Sequence, residues 1–555
     1  MMVLCLLAGC SGAATTAPTT SSTTKATMSS TSAGKNVNEY GWEIPEKTIE
    51  FTYFLAEQAD PVKYADNTVH YDEFLKEKFN VIIHRIVYNV DPTERLNLML
   101  ATGDYPDAIS NVSNDQVALF TAQKKAIDMS PLVDQYGPNI KSQLGDLYIR
   151  YFDDNGALYM LPKCWGLLDI PDYTAAIRYD YWKEIGSPEF STPEEYYDVL
   201  VQIQQKHPTN ANGQVTYALS DYGGGKKMWQ MLTGAWGLKD EYLESSDKTL
   251  THWMNTSQGL EIIKYLNKAY REGQLDPDFA INKIEDLTDK ASNHRVMGYI
   301  GAWWPSWVIG HMTWQKTDPN WTFDETYINV SFKAESAKAA YLSPKDLTGG
   351  ARSFITDKAK NAADIMKWWN FEISDIGTKI ICLGIPDSDY SDWQFIDGKS
   401  IWDDGVIAAM TAGTFDLTEY DAGAICGQYW MVGGQQKLSN GDPLTEPWCT
   451  VWFDQNFNSI QPLKKIMHTN LKGTTFDNSY RAVQFTPENP LSVVKTQIDD
   501  MLLTGWAQMI TCDTEAKCEK AFYDLRDALN KTGLKDIEAF RTTEYQNKLQ
   551  KWGGK

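Results

Sequence analysis

The sequence predicts an α/β protein built from at least two lobes, and three observations lead to that prediction. A chain of 555 residues with 43% hydrophobic composition carries more apolar material than one compact core normally holds. A β-branched and aromatic run at 48–56, a helical stretch at 71–79 and a second apolar run at 80–87 form a β-α-β opening. Strands and helices continue to alternate after it, which is typical of α/β lobes whose ligands bind near strand ends.

Local capping and turn signals predict the elements that follow. The segment 91–103 begins with Asp and Pro and ends with Gly, so it predicts a helix, and a strand begins in 105–109. Asp-Asp-Asn-Gly at 153–156 predicts a tight turn in a hairpin that ends at 159–162. Thr-Pro-Glu-Glu at 192–195 predicts a helix start, because it combines an N-cap, a proline in the first turn and a reciprocal Glu.

The charge of the chain excludes nucleic acids as partners and disfavours anionic membrane surfaces. The formal net charge is −22, from 73 acidic and 51 basic residues, and no long basic run occurs. Nucleic-acid binding requires neutralisation of phosphates, so DNA and RNA are excluded as partners, and anionic membrane surfaces are poor ones. No stretch after the N-terminus approaches ~20 apolar residues, so no membrane-spanning helix is predicted.

The N-terminus resembles a bacterial lipoprotein signal. Leu7-Ala8-Gly9-Cys10 matches a lipobox, which implies that residues 1–9 are a signal peptide and that the Cys10 thiol is acylated. Residues 10–47 are then expected to form a tether, because more than half of residues 11–35 are Ser or Thr and offer little apolar surface to offset the entropy of ordering. A chance apolar N-terminus is the alternative.

The remaining motifs do not indicate catalysis. No Gly-x-Ser-x-Gly or His-Glu-x-x-His occurs, and Gly398-Lys399-Ser400 lacks the earlier glycine of a P-loop. Among the cysteines after the N-terminus, Cys512 and Cys518 are the one close pair, which we interpret as a coincidence on a helix face, a disulfide or, least of all, a metal site. We therefore predict a protein that is not an enzyme and has no catalytic residue, metal or cofactor. A cell-surface glycoside hydrolase stays open, because a pair of carboxylates is always available among 73 acids.

The strongest binding candidate is a tryptophan cluster. Trp303, Trp304 and Trp307 follow the apolar strand 296–300, and the Gly and Pro among them predict a loop. Sugars expose apolar C–H faces that stack on aromatic rings, so three indoles in five residues suggest an oligosaccharide platform, although any one of them could equally belong to the core.

The order of segments resembles the extracellular solute-binding proteins (family 1) of carbohydrate ABC importers, in particular their LipO-like lipoprotein branch. The resemblance covers nearly all of residues 48–552, and it depends on the order and spacing of pieces that are not specific one by one. These pieces include ERLNLMLATGDYPDAI (94–109), DMSPLVDQYGPNI (128–140), LYMLP (158–162), STPEEYYDVL (191–200), GLEIIKYLNKAYREGQLDPDF (259–279), RVMGYIGAWW (295–304), KNAADIMKWWNF (360–371), IDGK (396–399) and VKTQIDDMLLTGWAQMI (494–510).

The resemblance implies a two-lobed periplasmic-binding-protein-like fold with a hinge and an inter-lobe ligand cleft. Lobe one would hold 48–163 plus 342–400, and lobe two 164–341 plus 401–555. A monomer on the outer face of the bacterial membrane, held only by its lipid, would capture an oligosaccharide and deliver it to the transmembrane subunits of an ABC permease. A receptor for a peptide or another non-sugar solute is the alternative on the same fold.

The resemblance also bears on which residues of this chain could bind the ligand or a metal. Trp303 matches a sugar-stacking Trp in a Gly-Pro-Trp-x-Trp stretch of maltodextrin-binding proteins. Relatives carry a calcium loop near 207–214, but this chain lacks the carboxylates there, so no calcium is expected. The weaker ligand-binding candidates are aromatic residues, of which Trp229 fits a helix core better, and polar residues at the ends of predicted strands: Trp165, Tyr429, Trp430, Trp229, Glu57, Asp60 and Asn111.

Overall fold

The computed structural model describes most of the chain after its first 35 residues. The described residues are 36–56, 71–86, 88, 90–163, 173–302, 304–314, 317–322, 325–345, 351–383, 385–386, 393–396, 399–402, 474–486 and 489–553. The strands are β1 Ile49–Leu55, β2 Val81–Arg85, β3 Ala108–Val112, β4 Leu161–Lys163, β5 Tyr173–Arg178, β6 Tyr217–Ser220, β7 Tyr242–Glu244, β8 Leu250–His252, β9 Val296–Ala302, β10 Tyr327–Val330, β11 Ser343–Lys345, β12 Ala351–Ile355, β13 Trp393–Ile396, β14 Lys399–Trp402 and β15 Thr475–Asp477.

Helices alternate with these strands and then dominate the C-terminal part. The α-helices are α1 Pro92–Thr102, α2 Asn114–Ala122, α3 Ser130–Tyr136, α4 Pro138–Leu144, α5 Tyr179–Glu184, α6 Pro193–Lys206, α7 Lys226–Ala235, α8 Ser257–Arg271, α9 Ile284–Ser292, α10 Trp304–Trp307, α11 Ala362–Glu372, α12 Asp375–Leu383, α13 Leu491–Ile510, α14 Glu515–Thr532 and α15 Leu534–Lys551. Short 3₁₀ or π turns occupy Leu75–Phe79, Gly145–Tyr151, Trp253–Asn255, Val308–Trp314 and Ser479–Ala482. In the described part of the chain, no helix is both long enough and apolar enough to cross a bilayer.

The first sheet has the strand order β2-β1-β3-β12-β4 and belongs to lobe one. Strands β1, β2 and β3 are parallel, and β12 runs antiparallel between β3 and β4. The core beside this sheet joins residues from Tyr40 to Leu161 with residues from Phe354 to Trp393. Lobe one is therefore assembled from two separate stretches of chain.

The second sheet has the strand order β10-β5-β9-β6 and belongs to lobe two. Its core includes residues from Ala175 to Leu342 together with the C-terminal helices, from Ile498 to Ile537. Between the stretches of the two cores, β11 pairs in parallel with β15, so two of the segments that pass between the lobes lie side by side. The structural comparisons reported below confirm the predicted α/β, two-domain fold.

Several helices begin where the sequence placed them. Asp91 caps α1 by accepting from the backbone of Thr93 and Glu94, and Gly103 ends that helix with φ 72°. Thr192 and Glu195 form the reciprocal capping box at the start of α6. These contacts join residues a few positions apart, and such local rules are strong enough to be read from sequence.

The predicted tether is too long at its C-terminal end. Residues 36–47 are part of lobe one, where Tyr40 and Trp42 are buried and the Trp42 indole donates to the carbonyl of Phe79 at 2.9 Å. Trp42 also meets the ring of Trp368 edge-on at 5.5 Å. The apolar surface that these two aromatic side chains bury offsets the conformational entropy lost when this short polar stretch is ordered.

The hairpin predicted around 153–156 is wrong, although its turn forms. Gly156 has φ 83°, and the amide of Asp153 donates to the carbonyl of Ala157 at 2.9 Å. The arm before the turn is the 3₁₀ segment Gly145–Tyr151, and β4 after it pairs with β12. A partner far away in the chain therefore decides the pairing of β4.

Cys512 and Cys518 are both free thiols in the structure. Cys518 lies in the core of lobe two, and burial raises the pKa of its thiol to about 12. Of the readings left open, the structure thus favours a coincidence of spacing over a disulfide. Within the described ranges, no three His, Cys, Asp or Glu side chains are grouped as metal ligands.

Candidate functional site

The carboxyl-terminal edges of the two sheets form the candidate ligand site. In lobe one, β1, β3 and β4 all end at the same edge, because they run in one direction within the sheet. In lobe two, β6 and β9 end beside the first residue of β5. The chain passes from the end of β4 to the start of β5, so it links one edge directly to the other. Ligands of open α/β sheets bind outside such strand ends.

Asn111 ties together two strand ends of lobe one. Its amide nitrogen donates to the carbonyl of Ala56 at 3.2 Å, and its backbone has φ 63°, a conformation that Asn tolerates better than most residues. Ser113 then caps α2 in a reciprocal box with Gln116. Asn111 is half-buried at the predicted edge, with one amide donor already engaged.

A glycine loop continues the edge of lobe two. Gly223, Gly224 and Gly225 follow β6 with φ of 73°, 64° and 86°, and they lead into α7. A Cβ on Gly225 would lie 2.3 Å from the indole nitrogen of Trp506, so only glycine fits there. Asp221 accepts from the backbone of Met228 at 3.1 Å and so fixes the turn against the helix. Sequence reasoning missed this loop, although three consecutive glycines after an apolar run are a readable signal.

A buried polar network supports that loop. The Lys290 ammonium lies 3.0 and 2.8 Å from the two oxygens of Asp276 and 3.0 Å from the Asn282 amide oxygen. The Asn282 amide donates to the carbonyl of Asp221, and the Ser220 hydroxyl donates to Asp276 at 2.7 Å. Burial alone would raise the pKa of Asp276, but the hydrogen bonds from Lys290, Ser220 and Asn282 outweigh it and hold the pKa below its ordinary value. The carboxylate is thus ionised and holds the loop through its partners.

The loop predicted at 301–307 is wrong for the residues that the structure describes there, 301–302 and 304–307. Strand β9 continues through Gly301 to Ala302, and α10 begins at Trp304. Gly301 serves close packing, because a Cβ there would come within 2.4 Å of the Tyr222 ring. The Tyr222 hydroxyl in turn accepts from the backbone of Ala302 at 3.0 Å. Pro in the first turn of a helix has no amide to lose, so Pro305 is compatible with α10.

Few of the predicted ligand-binding residues can be placed. Trp304 and Trp307 are the first and last residues of α10, immediately after the strand end of lobe two. Trp229 is 6% exposed in the core of lobe two, with its ring centroid 3.8 Å from that of Trp253 and 4.9 Å from that of Trp506. This packing favours a core role for Trp229. The other predicted sites lie outside the described residues: Trp303, Trp165, Tyr429, Trp430, Glu57, Asp60 and the lipidation site Cys10.

The segment 207–214 closes on itself through amide hydrogen bonds. The Asn210 side-chain oxygen accepts from the backbone of Asn212 at 3.0 Å and of Gln214 at 2.9 Å. The Asn210 amide nitrogen donates to the carbonyl of Asn293 at 2.8 Å, and His207 stacks on Tyr181 at 3.8 Å. Hydrogen bonds and ring stacking hold this segment together.

In addition to the pairing of β11 with β15, a contact between lobe one and the C-terminal helix joins the two lobes. Arg150 donates to the Ser479 hydroxyl at 2.6 Å, and its guanidinium lies 4.8 Å from the ring centroid of Trp552. Lys551 donates to the carbonyl of Asp153 at 2.7 Å. A cavity of about 320 Å³ lies beside these residues and reaches α2. Because these residues belong to both lobes, a rotation of one lobe against the other would act on this contact.

The fold is that of the two-domain solute-binding proteins. Superposition on the Streptococcus pneumoniae ABC-transporter substrate-binding protein FusA in complex with kestose gives a TM-score of 0.67 at 18% identity, over 90% of this chain and 99% of that one. The alginate-binding protein AlgQ2 matches with a TM-score of 0.62 at 17% identity, over 91% and 99%. The N-glycan transport solute-binding protein NgtS of S. pneumoniae matches with 0.59 at 15% identity, over 91% and 99%.

Sequence comparison adds two curated relatives. Lipoprotein LipO of Bacillus subtilis is 26% identical over 34% of this chain and 37% of its own length. The fructooligosaccharide substrate-binding protein FusA of S. pneumoniae is 24% identical over 53% of this chain and 55% of its own length. The chain thus spans about a third to about half of the length of these relatives. No family model matches the sequence. The relatives confirm the resemblance predicted from the sequence.

Proposed function

We propose that this protein is the substrate-binding receptor of an ABC importer and that it captures an oligosaccharide without altering it. The observation that carries the proposal is the shared two-domain fold, which extends over about nine-tenths of the chain in proteins named for binding kestose, alginate and N-glycans. A curated relative is likewise named as a fructooligosaccharide receptor. All these ligands are chains of sugar units.

The strand-end edges provide what such a ligand requires. Backbone groups of Gly223, the exposed residue of the glycine loop 223–225, offer polar partners for hydroxyl groups. Trp303, directly after β9 in the sequence, is our candidate for stacking on a sugar face. Closure of the two lobes over the sugar would create the surface that the permease subunits recognise, because domain closure couples binding to partner recognition. The hinge would lie where β11 and β15 run side by side.

The first test is direct binding. Kestose, an alginate trisaccharide and a short N-glycan are titrated by calorimetry, and the dimensions of the protein are followed by small-angle scattering. We expect one of them to bind, to raise the melting temperature and to compact the molecule. Binding without compaction would contradict the closing hinge. Cleavage products would establish the hydrolase reading, and binding of peptides alone would establish the non-sugar reading.

We also propose that the protein is a monomer anchored on the outer face of the membrane by a lipid on Cys10. The lipobox at 7–10 and the relative named as a lipoprotein support this proposal. Cells fed a labelled fatty acid should incorporate the label into the wild type and not into Cys10→Ser, while the ligand affinity of the two proteins stays equal. Incorporation into Cys10→Ser would contradict the assignment. Sedimentation of the Cys10→Ser protein then checks the monomer.

A further inference from the structure

Three buried tyrosines belong to a small core beside the second sheet. This core joins β9 to α9, to β10 and to the turn that follows α10, and its tyrosines are Tyr222, Tyr299 and Tyr327. Each of them is at most 4% exposed, and each hydroxyl has a hydrogen-bond partner in β9 or α10. A phenylalanine would fill the same space without the cost of burying a hydroxyl, so the hydroxyls themselves contribute to the arrangement of this core.

Two of the three hydroxyls act at the carboxyl end of β9, where the candidate ligand edge lies. The Tyr222 hydroxyl accepts from the amide of Ala302, the last residue of that strand, at 3.0 Å. The Tyr299 and Ser306 hydroxyls lie 2.5 Å apart, and Ser306 belongs to α10 and is 5% exposed. The first bond fixes the end of the strand, and the second fixes the helix that follows against the same strand.

Tyr222 also links the two segments of lobe two that lie at this edge. It directly precedes Gly223 and so leads into the glycine loop, whereas its hydroxyl and ring contact the end of β9. A Cβ on Gly301 would come within 2.4 Å of the ring, so the ring packs against the backbone of the strand. Buried hydrogen bonds of this kind restrict a core to one arrangement. The glycine loop and the end of β9 are thereby held at a fixed separation.

The third hydroxyl provides an internal comparison. The Tyr327 hydroxyl donates to the carbonyl of Val296, the first residue of β9, at 2.5 Å. The two ends of this strand of 7 residues are about 20 Å apart. Tyr327 therefore belongs to the same core but holds the end of β9 that is remote from the candidate ligand edge.

We propose that Tyr222 and Tyr299 are positioning residues, whose hydroxyls hold α10 in the orientation in which the receptor binds its solute. The segment that they hold carries the predicted tryptophan cluster, Trp303, Trp304 and Trp307. A platform that is fixed before the ligand arrives contributes more affinity, because the cost of ordering it is not subtracted on binding. The proposal rests on the proposed receptor function for its solute, but the hold on α10 follows from the two hydrogen bonds.

The first experiment measures the hold on α10 without any solute. Amide hydrogen exchange of the unliganded full chain is followed by mass spectrometry in the wild type, Tyr222→Phe, Tyr299→Phe and Tyr327→Phe. We expect peptides that cover 302–310 to exchange ~2-fold to ~10-fold faster in Tyr222→Phe and Tyr299→Phe, because the loss of a buried hydrogen bond lowers the free energy of local opening. In Tyr327→Phe, the matched control, these peptides should exchange at the wild-type rate. Wild-type exchange in all three variants would overturn the hold on α10.

The second experiment measures the consequence for solute binding. Kestose, the alginate trisaccharide and the short N-glycan are titrated into the same four proteins by calorimetry. For each sugar that binds the wild type, we expect Kd to rise ~2-fold to ~10-fold in Tyr222→Phe and Tyr299→Phe and to stay unchanged in Tyr327→Phe. A loss of affinity in Tyr327→Phe as large as in the other two variants would overturn the proposal, because it would reflect a general loosening of the core.

Ser306→Ala tests the same bond from the side of α10. It removes the other hydroxyl of the Tyr299 pair, so its affinity loss should match that of Tyr299→Phe, and the two losses should not add in the double variant. Additive losses would show that the two hydroxyls act through different contacts and would overturn the role of their bond. Ser306→Ala is also the variant to use if Tyr299→Phe does not fold.

The outcomes separate this proposal from the receptor proposal. If exchange at α10 accelerates in Tyr222→Phe and Tyr299→Phe but none of the three sugars binds the wild type, the receptor proposal fails while the hold on α10 stands. If a sugar binds the wild type and all variants with equal affinity, the receptor proposal stands and the positioning role of the two tyrosines is overturned.

Discussion

Removal of the Lys290 ammonium should destabilise lobe two strongly. Asp276 is fully buried, and Lys290 contacts both of its oxygens, so Lys290→Met leaves a carboxylate without its cation. Breaking a buried pair in this way costs about 3–5 kcal/mol. If lobe two unfolds as a unit of ordinary domain size, at about 2–4 °C per kcal/mol, its melting temperature should fall by about 6–20 °C.

Urea denaturation at pH 7 and pH 5 measures the effect. The pKa of Asp276 is lowered in the folded protein, so its contribution in the wild type is complete above the ordinary Asp pKa of about 3.9 and is lost as the pH falls below it. Without Lys290, burial raises that pKa, so the deficit of Lys290→Met should shrink at pH 5. Lys520→Met, from an exposed pair with Asp524, should lose less than about 1 kcal/mol. Equal losses in the two variants, or a deficit independent of pH, would refute the reasoning.

Three further predictions concern aromatic contacts and pH. Trp303→Ala should weaken oligosaccharide binding ~10-fold to ~100-fold with an unchanged melting temperature of the unliganded protein. Trp229→Ala should instead cost about 3–5 kcal/mol of stability. The reverse pattern in calorimetry would exchange the roles of the two residues. Gly301→Ala should cost about 1–3 kcal/mol in urea denaturation, because its Cβ would displace the Tyr222 ring; unchanged stability would contradict the close contact. Burial, with nearby cations, lowers the pKa of His252 to about 3, so stability should fall by up to about 1.4 kcal/mol per pH unit below pH ~6.5, and His252→Asn should flatten that slope.

The elements that could be predicted from the sequence are those whose cause is local. The caps of α1 and α6 join residues within one turn, so their pattern is visible in a short window. The opening strands β1 and β2 were likewise evident from their β-branched and aromatic content. The order of these local segments was enough to predict two α/β lobes.

The errors came from contacts distant in sequence. The partner of β4 is β12, which no window around 153–156 contains. Gly301 resembles a turn residue in the sequence, but a glycine is required there because the Tyr222 ring packs against it. Trp42 stands in a polar stretch, and its burial depends on Phe79 and Trp368.

The candidate site was the least predictable part for the same reason. Gly225 is one of 38 glycines, and only the fold shows that the Trp506 indole lies against it. The support of the glycine loop by Lys290 and Asp276 joins α9 to the segment after α8. The aromatic residues, by contrast, could be named from the sequence but not assigned to the cleft or the core.

The place of β12 in its sheet has a consequence for how the protein is made. This strand is buried along its whole length between β3 and β4, yet it is synthesised only after the first stretch of lobe two, residues 164–341. Until it emerges, β3 and β4 have no partner on their facing sides, so the first sheet cannot be completed by the N-terminal half alone. Pairings between such distant segments fold slowly. An isolated lobe one should therefore be obtainable by joining residues 36–163 to 351–396, and not as an N-terminal fragment.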